Sequence, residues 1–252
     1  MGDPGVGLGV AVGDYDNDGD LDIYINNFGP NVLYQNNSDG TFTAVTHEAG
    51  VVHGTHMGAG ANFLDMDMDG DLDLYVSSYT EYSRDRHVPS APHGYPVYPG
   101  PSLYTSTYEA LFRNNNDGTF TDVSQASGIA FQRCPGMGTI CSDFDRDGDT
   151  DIFVANDTRP NFLFQNDGSG HFEEVGLLSG MAFDVHGNPQ GTMGIDLGDI
   201  DNDGWPDLYV TTYQNEWASL LRNLGDGVRR RHLHVGCRDE FPDGCHLGDW
   251  LR

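Results

Sequence analysis

Short apolar runs, separated by clusters of glycine, aspartate and asparagine, recur along the chain and predict β-strands. The first run of each series carries a glycine and occupies residues 9–12, 60–63, 138–141 and 194–197. An acidic loop and a second run, such as Leu-Asp-Ile-Tyr-Ile at 21–25, come next. A third run occupies 31–36, 109–114 and 161–166, and a turn with a fourth run occupies 38–43, 116–121 and 167–172. Because Asp-Gly between two strand-like runs is a hairpin signal, the pattern predicts repeated units of four antiparallel strands.

Each acidic loop has nine residues, with carboxylates at positions 1, 3, 5 and 9 and glycine at position 6, where the backbone turns sharply. The candidate metal-ligating residues are Asp14, Asp16, Asp18, Asp20 and Asp22 in the first loop, Asp65, Asp67, Asp69, Asp71 and Asp73 in the second, Asp143, Asp145, Asp147, Asp149 and Asp151 in the third, and Asp199, Asp201, Asp203, Trp205 and Asp207 in the fourth. Position 7 varies between aspartate and tryptophan, so we expect it to bind through its backbone carbonyl.

Alternating aspartates in a tight turn point into one small volume, where a pair 4 Å apart repels by about 4 kcal/mol at a surface-like dielectric constant. A cation among them removes that cost. Calcium fits, because it accepts about six to eight oxygens at flexible angles, whereas magnesium resists cages built only from protein. We therefore expect about four Ca²⁺ ions, one in each loop. The loop is not an EF-hand, because valine or isoleucine replaces the glutamate at position 12 and the flanks alternate like strands.

The units repeat at about 50 residues, which is typical of β-propeller blades whose sheets bury their faces against neighbours. The first aspartates of successive loops are 51, 78 and 56 residues apart, so the second unit carries an insertion. We predict an all-β partial propeller of about four four-stranded blades within residues 1–227. The predicted blades lie at about 5–50, 51–130 with the insertion at 80–108, 131–181 and 188–227.

The motif Gly-x-x-x-x-Asp-x-Asp-x-Asp-Gly-x-x-Asp-[Leu/Ile]-[Tyr/Phe]-Val, followed by an Asp-Gly-Thr-Phe hairpin, resembles the FG-GAP/VCBS repeat of integrin α-chain-like propellers. The resemblance is closest to the secreted, cartilage acidic protein-like ASPIC/UnbV group and extends over some nine-tenths of the chain. It implies an adhesion or binding propeller that usually has seven blades, so remaining blades of a larger propeller are expected as partners. The C-terminal ASPIC/UnbV domain of that group is not visible here.

The net charge of −27 makes nucleic acid and anionic membrane surfaces poor partners. No apolar run is long enough for a transmembrane helix, and no signal peptide is visible. Because millimolar calcium occurs outside the cytosol, we expect an extracellular, cell-surface or periplasmic location. Met1 directly precedes a repeat strand, which suggests a fragment that has lost an upstream part.

The insertion is rich in proline, tyrosine and histidine. Its tyrosines, at 82, 95, 98 and 104, are candidates for stacking on a sugar or peptide, and the alternative that we favour is a self-packed surface loop. Residues 228–252 hold five of the twelve arginines and break the hairpin motif, so we expect an atypical tail that is either frameshifted or disordered.

Histidines 53 and 56 offer a weak transition-metal alternative. Cys134 and Cys141 can pair only if their geometry and compartment allow it, and Cys141 also aligns with buried core positions. No nucleophile elbow, phosphate loop or zincin motif is present. We predict a non-enzymatic, calcium-binding extracellular scaffold for a protein or carbohydrate ligand. The alternative is an enzyme that acts on polysaccharide and is built on the calcium-stabilised propeller, because counting carboxylates does not exclude a glycosidase pair.

Overall fold

The computed structural model describes residues 5–54, 57–91, 94–213 and 216–225, together with the backbone of 231–234. Its strands form four antiparallel sheets of four strands, which we call blades 1 to 4. Blade 1 contains β1 (Val6–Gly13), β2 (Asp22–Phe28), β3 (Val32–Asn36) and β4 (Phe42–Ala44). Blade 2 contains β5 (Met57–Leu64), β6 (Asp73–Thr80), β7 (Ala110–Asn114) and β8 (Phe120–Asp122).

Blades 3 and 4 repeat the same meander, in which each strand pairs with the next one along the chain. Blade 3 contains β9 (Gly136–Ser142), β10 (Asp151–Arg159), β11 (Phe162–Asn166) and β12 (Phe172–Glu174). Blade 4 contains β13 (Gln190–Gly198), β14 (Asp207–Thr212), β15 (Ser219–Arg222) and β16 (Arg231–His234). The acidic loops connect the first and second strand of every blade. The prediction of an all-β partial propeller is therefore confirmed.

Short ladders at the inner strands join the blades in pairs. A bridge between Phe28 and Met57 connects β2 to β5, and β10 pairs with β13 through Asp157 and Arg159. Blades 1 and 2 thus share one eight-stranded sheet, and blades 3 and 4 share another.

The hydrophobic core lies between blades rather than inside any one of them. Tyr24 and Leu33 of blade 1 pack against Leu74, Val76 and Phe112 of blade 2, and all five are fully buried or nearly so. Equivalent clusters join blade 2 to blade 3 and blade 3 to blade 4. Each sheet therefore depends on its neighbour to cover an apolar face, as in other repeat architectures.

The glycine five residues before each loop lies at the narrow centre of the array. A Cβ atom built on Gly9 would lie 1.7 Å from the carbonyl oxygen of Ala59 in the next blade. The same atom on Gly60 would lie 2.9 Å from the Met137 carbonyl oxygen, and on Gly138 it would lie 2.6 Å from that of Met193. Consecutive inner strands thus approach closely only because these positions have no side chain.

The described part of the insertion between β6 and β7 includes 3-10 turns at Arg84–Arg86 and Pro101–Leu103, and another turn at Ile129–Phe131 precedes β9. None of the helical segments in the described part of the chain has the length and apolar character that a membrane crossing requires. The predicted tail at 228–252 lies outside the described residues, apart from the backbone of β16, which pairs with β15.

Cys134 and Cys141 are both free thiols; Cys134 lies two residues before β9, and Cys141 lies near the end of that strand. An extended strand rises by about 3.3 Å per residue, so their Cα atoms are far beyond the roughly 7 Å limit of a disulfide. Burial raises the pKa of each thiol to about 12, which leaves both unreactive. The disulfide that we left open in the sequence therefore does not form between these two residues.

Candidate metal centres

Two residues with left-handed backbone conformation, at positions 4 and 6, give each acidic loop its shape. The position 6 glycines have φ angles of 94°, 92°, 105° and 88° in loops 1 to 4, as their sequence position predicts. Position 4 is also left-handed, with φ between 58° and 61° at Asn17, Met68, Arg146 and Asn202. Asparagine tolerates this conformation, but methionine and arginine do not favour it, so the sequence gives no signal for the second turn in loops 2 and 3.

The carboxylates at positions 1 and 5 hold each loop closed through hydrogen bonds from the backbone. In loop 1, Asp14 accepts the backbone N–H groups of Asp18 at 3.0 Å and Gly19 at 2.9 Å, and Asp18 accepts that of Asp20 at 2.9 Å. The same three bonds recur in the other loops. These bonds draw the acidic side chains inward, although the charges repel one another.

The position 9 aspartate ties the loop to the rest of its blade. Asp73 accepts the backbone N–H of Met66 at 2.9 Å on one oxygen and that of Asn114 at 2.8 Å on the other. Asp22, Asp151 and Asp207 accept the equivalent pairs of bonds. All four are essentially buried, so this side chain links the first turn of the blade to its hairpin.

An asparagine at the end of the third strand extends that link to the preceding blade. The side-chain amide of Asn114 donates to the Tyr15 carbonyl at 2.7 Å, that of Asn166 to Met66 at 2.8 Å, and that of Asn223 to Phe144 at 2.7 Å. Each acceptor is position 2 of the acidic loop one blade earlier. Sequence reasoning did not identify this contact, although the asparagine recurs at the same place in all four units.

Three carboxylates converge in every loop, with one oxygen of each lying within 4.8 Å of the others. The groups are Asp14, Asp16 and Asp18; Asp65, Asp67 and Asp73; Asp143, Asp145 and Asp151; and Asp199, Asp201 and Asp203. The side chains at position 7 (Asp20, Asp71, Asp149 and Trp205) are outside these groups. The structure thus brings together positions 1 and 3 of each predicted set, with position 5 or position 9.

One buried carboxylate oxygen in each loop has no hydrogen-bond partner. It belongs to position 3 in loops 1, 2 and 4 (Asp16, Asp67 and Asp201) and to position 7 in loop 3 (Asp149). A buried, unpaired carboxylate oxygen is costly, so these four atoms indicate a missing positive partner. An all-oxygen donor set with a flexible backbone fits calcium better than a transition metal.

Burial raises the pKa of the position 9 carboxylates, and a bound cation would lower it again. Desolvation raises the pKa of Asp73 and of Asp151 to about 7, and it also raises the pKa of Asp22 and of Asp207. Neighbouring aspartates add to the increase in each case. A divalent cation favours the ionised form and would restore the negative charge of these groups.

The fourth loop differs from the other three. The Arg222 guanidinium pairs with Asp201 and lies 3.3 Å from an oxygen of Asp203. Glutamine occupies the equivalent position in blades 1 and 3, where Gln35 donates to Asp16 at 2.6 Å and Gln165 donates to Asp145. A resident cationic side chain therefore already partly neutralises the fourth cluster.

Contacts also connect consecutive loops at this end of the molecule. The Asn17 amide of loop 1 donates to Asp71 of loop 2 at 2.7 Å. The Arg146 guanidinium of loop 3 lies 5.0 Å from the centre of the Trp205 ring in loop 4, which is a cation–π contact. In both pairs, the position 7 side chain contacts position 4 of the preceding loop.

The insertion has a packed base and an exposed tip. Tyr82 contacts Phe28 and Tyr104, with ring centres 5.6 Å and 5.3 Å away. In contrast, Tyr95 is 76% exposed and Tyr98 is fully exposed, on either side of the Ser90–Val97 bridge. Two of the four tyrosines are thus used for self-packing, and two remain available to a ligand.

The weak histidine site gains no support from the described residues. His53 lies 2.9 Å from the Ser78 hydroxyl and contacts the edge of the Phe112 ring. His56 is outside the described part of the chain, and the metal-compatible groups found within that part contain only aspartates.

Comparison with known proteins identifies the repeat. Residues 14–76 and 143–210, just over half of the chain, match the family model for FG-GAP-like repeats. Cartilage acidic protein 1 of Homo sapiens is 29% identical over 245 residues, which are 93% of this chain and 32% of that protein. The Xenopus tropicalis protein of the same name is 28% identical over 144 residues, covering 55% of this chain and 20% of that protein. The chain thus spans about a third or less of these curated relatives.

Two solved structures resemble the chain more distantly, each at 16% identity over 87% of its length. One is an Agrocybe aegerita lectin that recognises non-reducing terminal N-acetylglucosamine, with a TM-score of 0.31 and 64% of that chain covered. The other is the V. cholerae biofilm matrix protein Bap1, with a TM-score of 0.40 and 38% covered. Both TM-scores are too low to indicate a shared overall arrangement.

Proposed function

The chain belongs to the FG-GAP-like repeat family. On this basis, we propose that it is a propeller scaffold stabilised by calcium. It would bind a protein or carbohydrate outside the cytosol and would not catalyse a reaction. Four sites are proposed, one in each acidic loop. The carboxylates at positions 1, 3, 5 and 9 and the backbone carbonyl at position 7 would hold each ion. Calcium would supply positive charge at the four clusters and hold the loop and the hairpin of each blade together.

The unpaired buried oxygens of Asp16, Asp67, Asp149 and Asp201 carry the calcium proposal. They recur once in every loop, beside carboxylates whose mutual repulsion a bound ion would relieve. Calcium at about 100 times its dissociation constant would add about 2.7 kcal/mol of stability per site by mass action. The scaffold would then be several kcal/mol more stable in extracellular calcium than in a chelator.

The extracellular part of the proposal is supported by two observations. Calcium modules of modest affinity are saturated only where calcium is millimolar, which is outside the cytosol. The relatives carry the name cartilage acidic protein, and this chain is itself strongly acidic, with a net charge of −27. A calcium requirement and a strongly acidic surface are both compatible with an extracellular matrix.

Calorimetric titration of calcium into decalcified protein tests the metal sites. We expect about four sites and a melting temperature that rises by many degrees. Asp67→Asn should remove one site, because it replaces an unpaired buried carboxylate, whereas Asp117→Asn, in an exposed hairpin turn, should leave the stoichiometry unchanged. Absence of binding, together with an unchanged melt in EDTA, would refute the calcium proposal.

The exposed tip of the insertion is the proposed ligand surface. Tyr95 and Tyr98 present amphipathic rings at low conformational cost, which suits stacking on a sugar or peptide. A screen of the chain against glycan and matrix-protein arrays should give ligands whose binding is lost in Tyr95→Ala/Tyr98→Ala. The matched variant Tyr213→Ala, at a tyrosine that is 64% exposed and directly follows β14, should retain binding. Ligands that bind the tip variant normally would exclude this surface.

A further inference from the structure

One asparagine contacts two acidic loops at each of the three junctions between blades. The backbone N–H of Asn166 donates to Asp151, the position 9 carboxylate of loop 3, at 2.9 Å. Its side-chain amide donates to the carbonyl of Met66, position 2 of loop 2, at 2.8 Å. Asn114 joins loops 2 and 1 in the same way, and Asn223 joins loops 4 and 3. A single residue thus contacts the proposed metal sites of two blades.

The position 2 residue that accepts this bond is itself tied to a metal-ligating carboxylate. Met66 donates its backbone N–H to Asp73, position 9 of its own loop, at 2.9 Å, and equivalent bonds occur in loops 1 and 3. The hydrogen bonds therefore form one continuous series through all four loops. Its members, in order, are Asp22, Tyr15, Asn114, Asp73, Met66, Asn166, Asp151, Phe144, Asn223 and Asp207.

Both partners of the bond between blades are firmly held. Asn166 is 4% exposed, and its amide also donates to the Thr150 carbonyl at 3.2 Å. Its side-chain oxygen accepts the backbone N–H groups of Asp167 at 2.9 Å and Gly168 at 3.3 Å. Met66 is 3% exposed and lies in the core cluster that joins blades 2 and 3. A displacement of either partner is therefore passed to the other.

From this series we infer that the three asparagines are positioning residues that couple consecutive calcium sites. The inference rests on the proposed function, because it requires an ion in each loop. With loop 3 filled, Asp151 is fixed as a ligand, and it holds the backbone of Asn166 in place. The amide of Asn166 then holds the Met66 carbonyl, which belongs to the peptide group that leads into Asp67, the position 3 ligand of loop 2. Loop 2 is thereby ordered in advance and loses less conformational entropy when it binds its own ion.

Charge alone predicts an interaction of the opposite sign. Each bound ion adds two positive charges and so weakens the attraction of a neighbouring loop for calcium. Coupling through the asparagines instead makes each filled loop strengthen the binding of its neighbours, and by linkage the effect is reciprocal. The sign of the interaction between sites therefore distinguishes the two.

The junction between loops 2 and 3 is the best one to test. At the other two junctions, the side chains at positions 4 and 7 of consecutive loops also interact. Position 4 of loop 2 is Met68, which has no hydrogen-bond donor in its side chain for the Asp149 carboxylate of loop 3. The contribution of Asn166 can therefore be measured there without that second contact.

Calorimetric calcium titration of the decalcified full chain, with loop 2 disabled, tests the sign. Asp67→Asn removes one negative charge and, with the lost ion, two positive charges, so the loop is one charge more negative than when it is filled. Charge alone then predicts tighter binding at the three remaining sites. Coupling through the asparagines predicts that they bind about tenfold more weakly than in the wild type.

A second substitution tests the route of the coupling. In an Asn166→Ala background, Asp67→Asn should leave two of the three remaining sites, those of loops 3 and 4, unchanged. Asn36→Ala is the matched control, because Asn36 makes the same bonds within its own blade, to the Leu21 carbonyl at 3.1 Å and from the Ser38 N–H at 3.2 Å. In that background, Asp67→Asn should still weaken the remaining sites about tenfold.

The outcomes separate this inference from the proposed function. Remaining sites that are unchanged or tighter in Asp67→Asn would overturn the inference and leave the calcium sites in place. A full effect of Asp67→Asn in the Asn166→Ala background would also overturn it, because the coupling would then not pass through the asparagine. If Asn166→Ala does not fold, Asn114→Ala gives the same test at the site of loop 1. Absence of calcium binding in the wild type would refute the proposed function and the inference with it.

Discussion

At the start of β7, Glu109 occupies the position that Asn31 holds in blade 1 and Asn161 holds in blade 3. Its carboxyl is fully buried, accepts hydrogen bonds from the Tyr75 hydroxyl at 3.0 Å and the Ser78 backbone at 3.1 Å, and has no cationic partner among the described ion pairs. Burial raises the pKa of Glu109 to about 8. The folded state therefore binds a proton that the unfolded state releases near pH 4.5.

This shift predicts a pH-dependent loss of stability that Glu109→Gln removes. Between about pH 4.5 and pH 8 the unfolded chain binds fewer protons at this site, so the wild type should lose stability as pH rises, by up to a few kcal/mol. Glutamine keeps the acceptor oxygen and does not ionise. The stability difference between variant and wild type, measured by urea unfolding, should grow with pH, and a difference that is constant from pH 5 to pH 8 would contradict the prediction.

Because of Arg222, we expect the four proposed calcium sites to differ in affinity. The ion must compete with a guanidinium for Asp201 and Asp203, and Trp205 replaces the acid that the other loops carry at position 7. Arg222→Gln installs the residue used in blades 1 and 3, and it should raise the affinity of the fourth site about tenfold, which corresponds to about 1.4 kcal/mol.

Terbium luminescence excited through tryptophan reports on this loop, because Trp205 is the one tryptophan within the four acidic loops. The control is Arg113→Gln, which makes the same change in blade 2, where the arginine side chain is exposed. It should leave the Trp205-sensitised titration unchanged. Equal terbium affinity in the wild type and Arg222→Gln would mean that the guanidinium does not compete with the ion.

At the scale of the strand, substitution of the glycine five residues before each acidic loop tests how the blades pack. Gly9→Ala would force a methyl group into the Ala59 carbonyl, so we expect a loss of about 1–3 kcal/mol in the free energy of unfolding. Gly194→Ala changes the same position of the repeat at a site where, among the described residues, the new methyl group would meet only the Thr211 hydroxyl, and it should cost less than about 0.5 kcal/mol. Similar losses in both variants would show that the cost is local to the strand.

The sequence predicts the strands and the acidic loops well because both follow from local patterns. Alternating apolar residues and Asp-Gly turns specify each meander, and the spacing of aspartates around glycine specifies each loop. The contacts between blades are different in kind. Asn114 reaches a carbonyl 99 residues earlier, and Asn166 reaches one 100 residues earlier, so these bonds depend on how the blades are placed beside one another. The Arg222 ion pair and the two-part insertion likewise require tertiary structure.

For the molecule as a whole, the large negative net charge is expected to limit stability when no calcium is bound. At −27 before any ion binds, the decalcified chain should repel itself, and four calcium ions would reduce the net charge to about −19. The melting temperature of the decalcified protein should therefore rise clearly between about 0.01 M and about 0.15 M salt, as the Debye length falls from about 30 Å to about 8 Å. The calcium-loaded protein should respond less. Equal responses of the two forms would mean that the loop charges do not limit stability.

The close approach at Gly9, Gly60 and Gly138 has a consequence for shape. Neighbouring sheets nearly touch at their first strands, whereas farther from the centre they are separated by aromatic side chains such as Tyr24 of β2 and Phe112 of β7. Each junction is therefore a wedge, thin at one side and thick at the other, and the angle of the wedge sets the curvature of the arc. A larger residue at the thin side would flatten the arc and enlarge its radius. The number of blades that can close a circle therefore depends on the lack of a side chain at these central glycines.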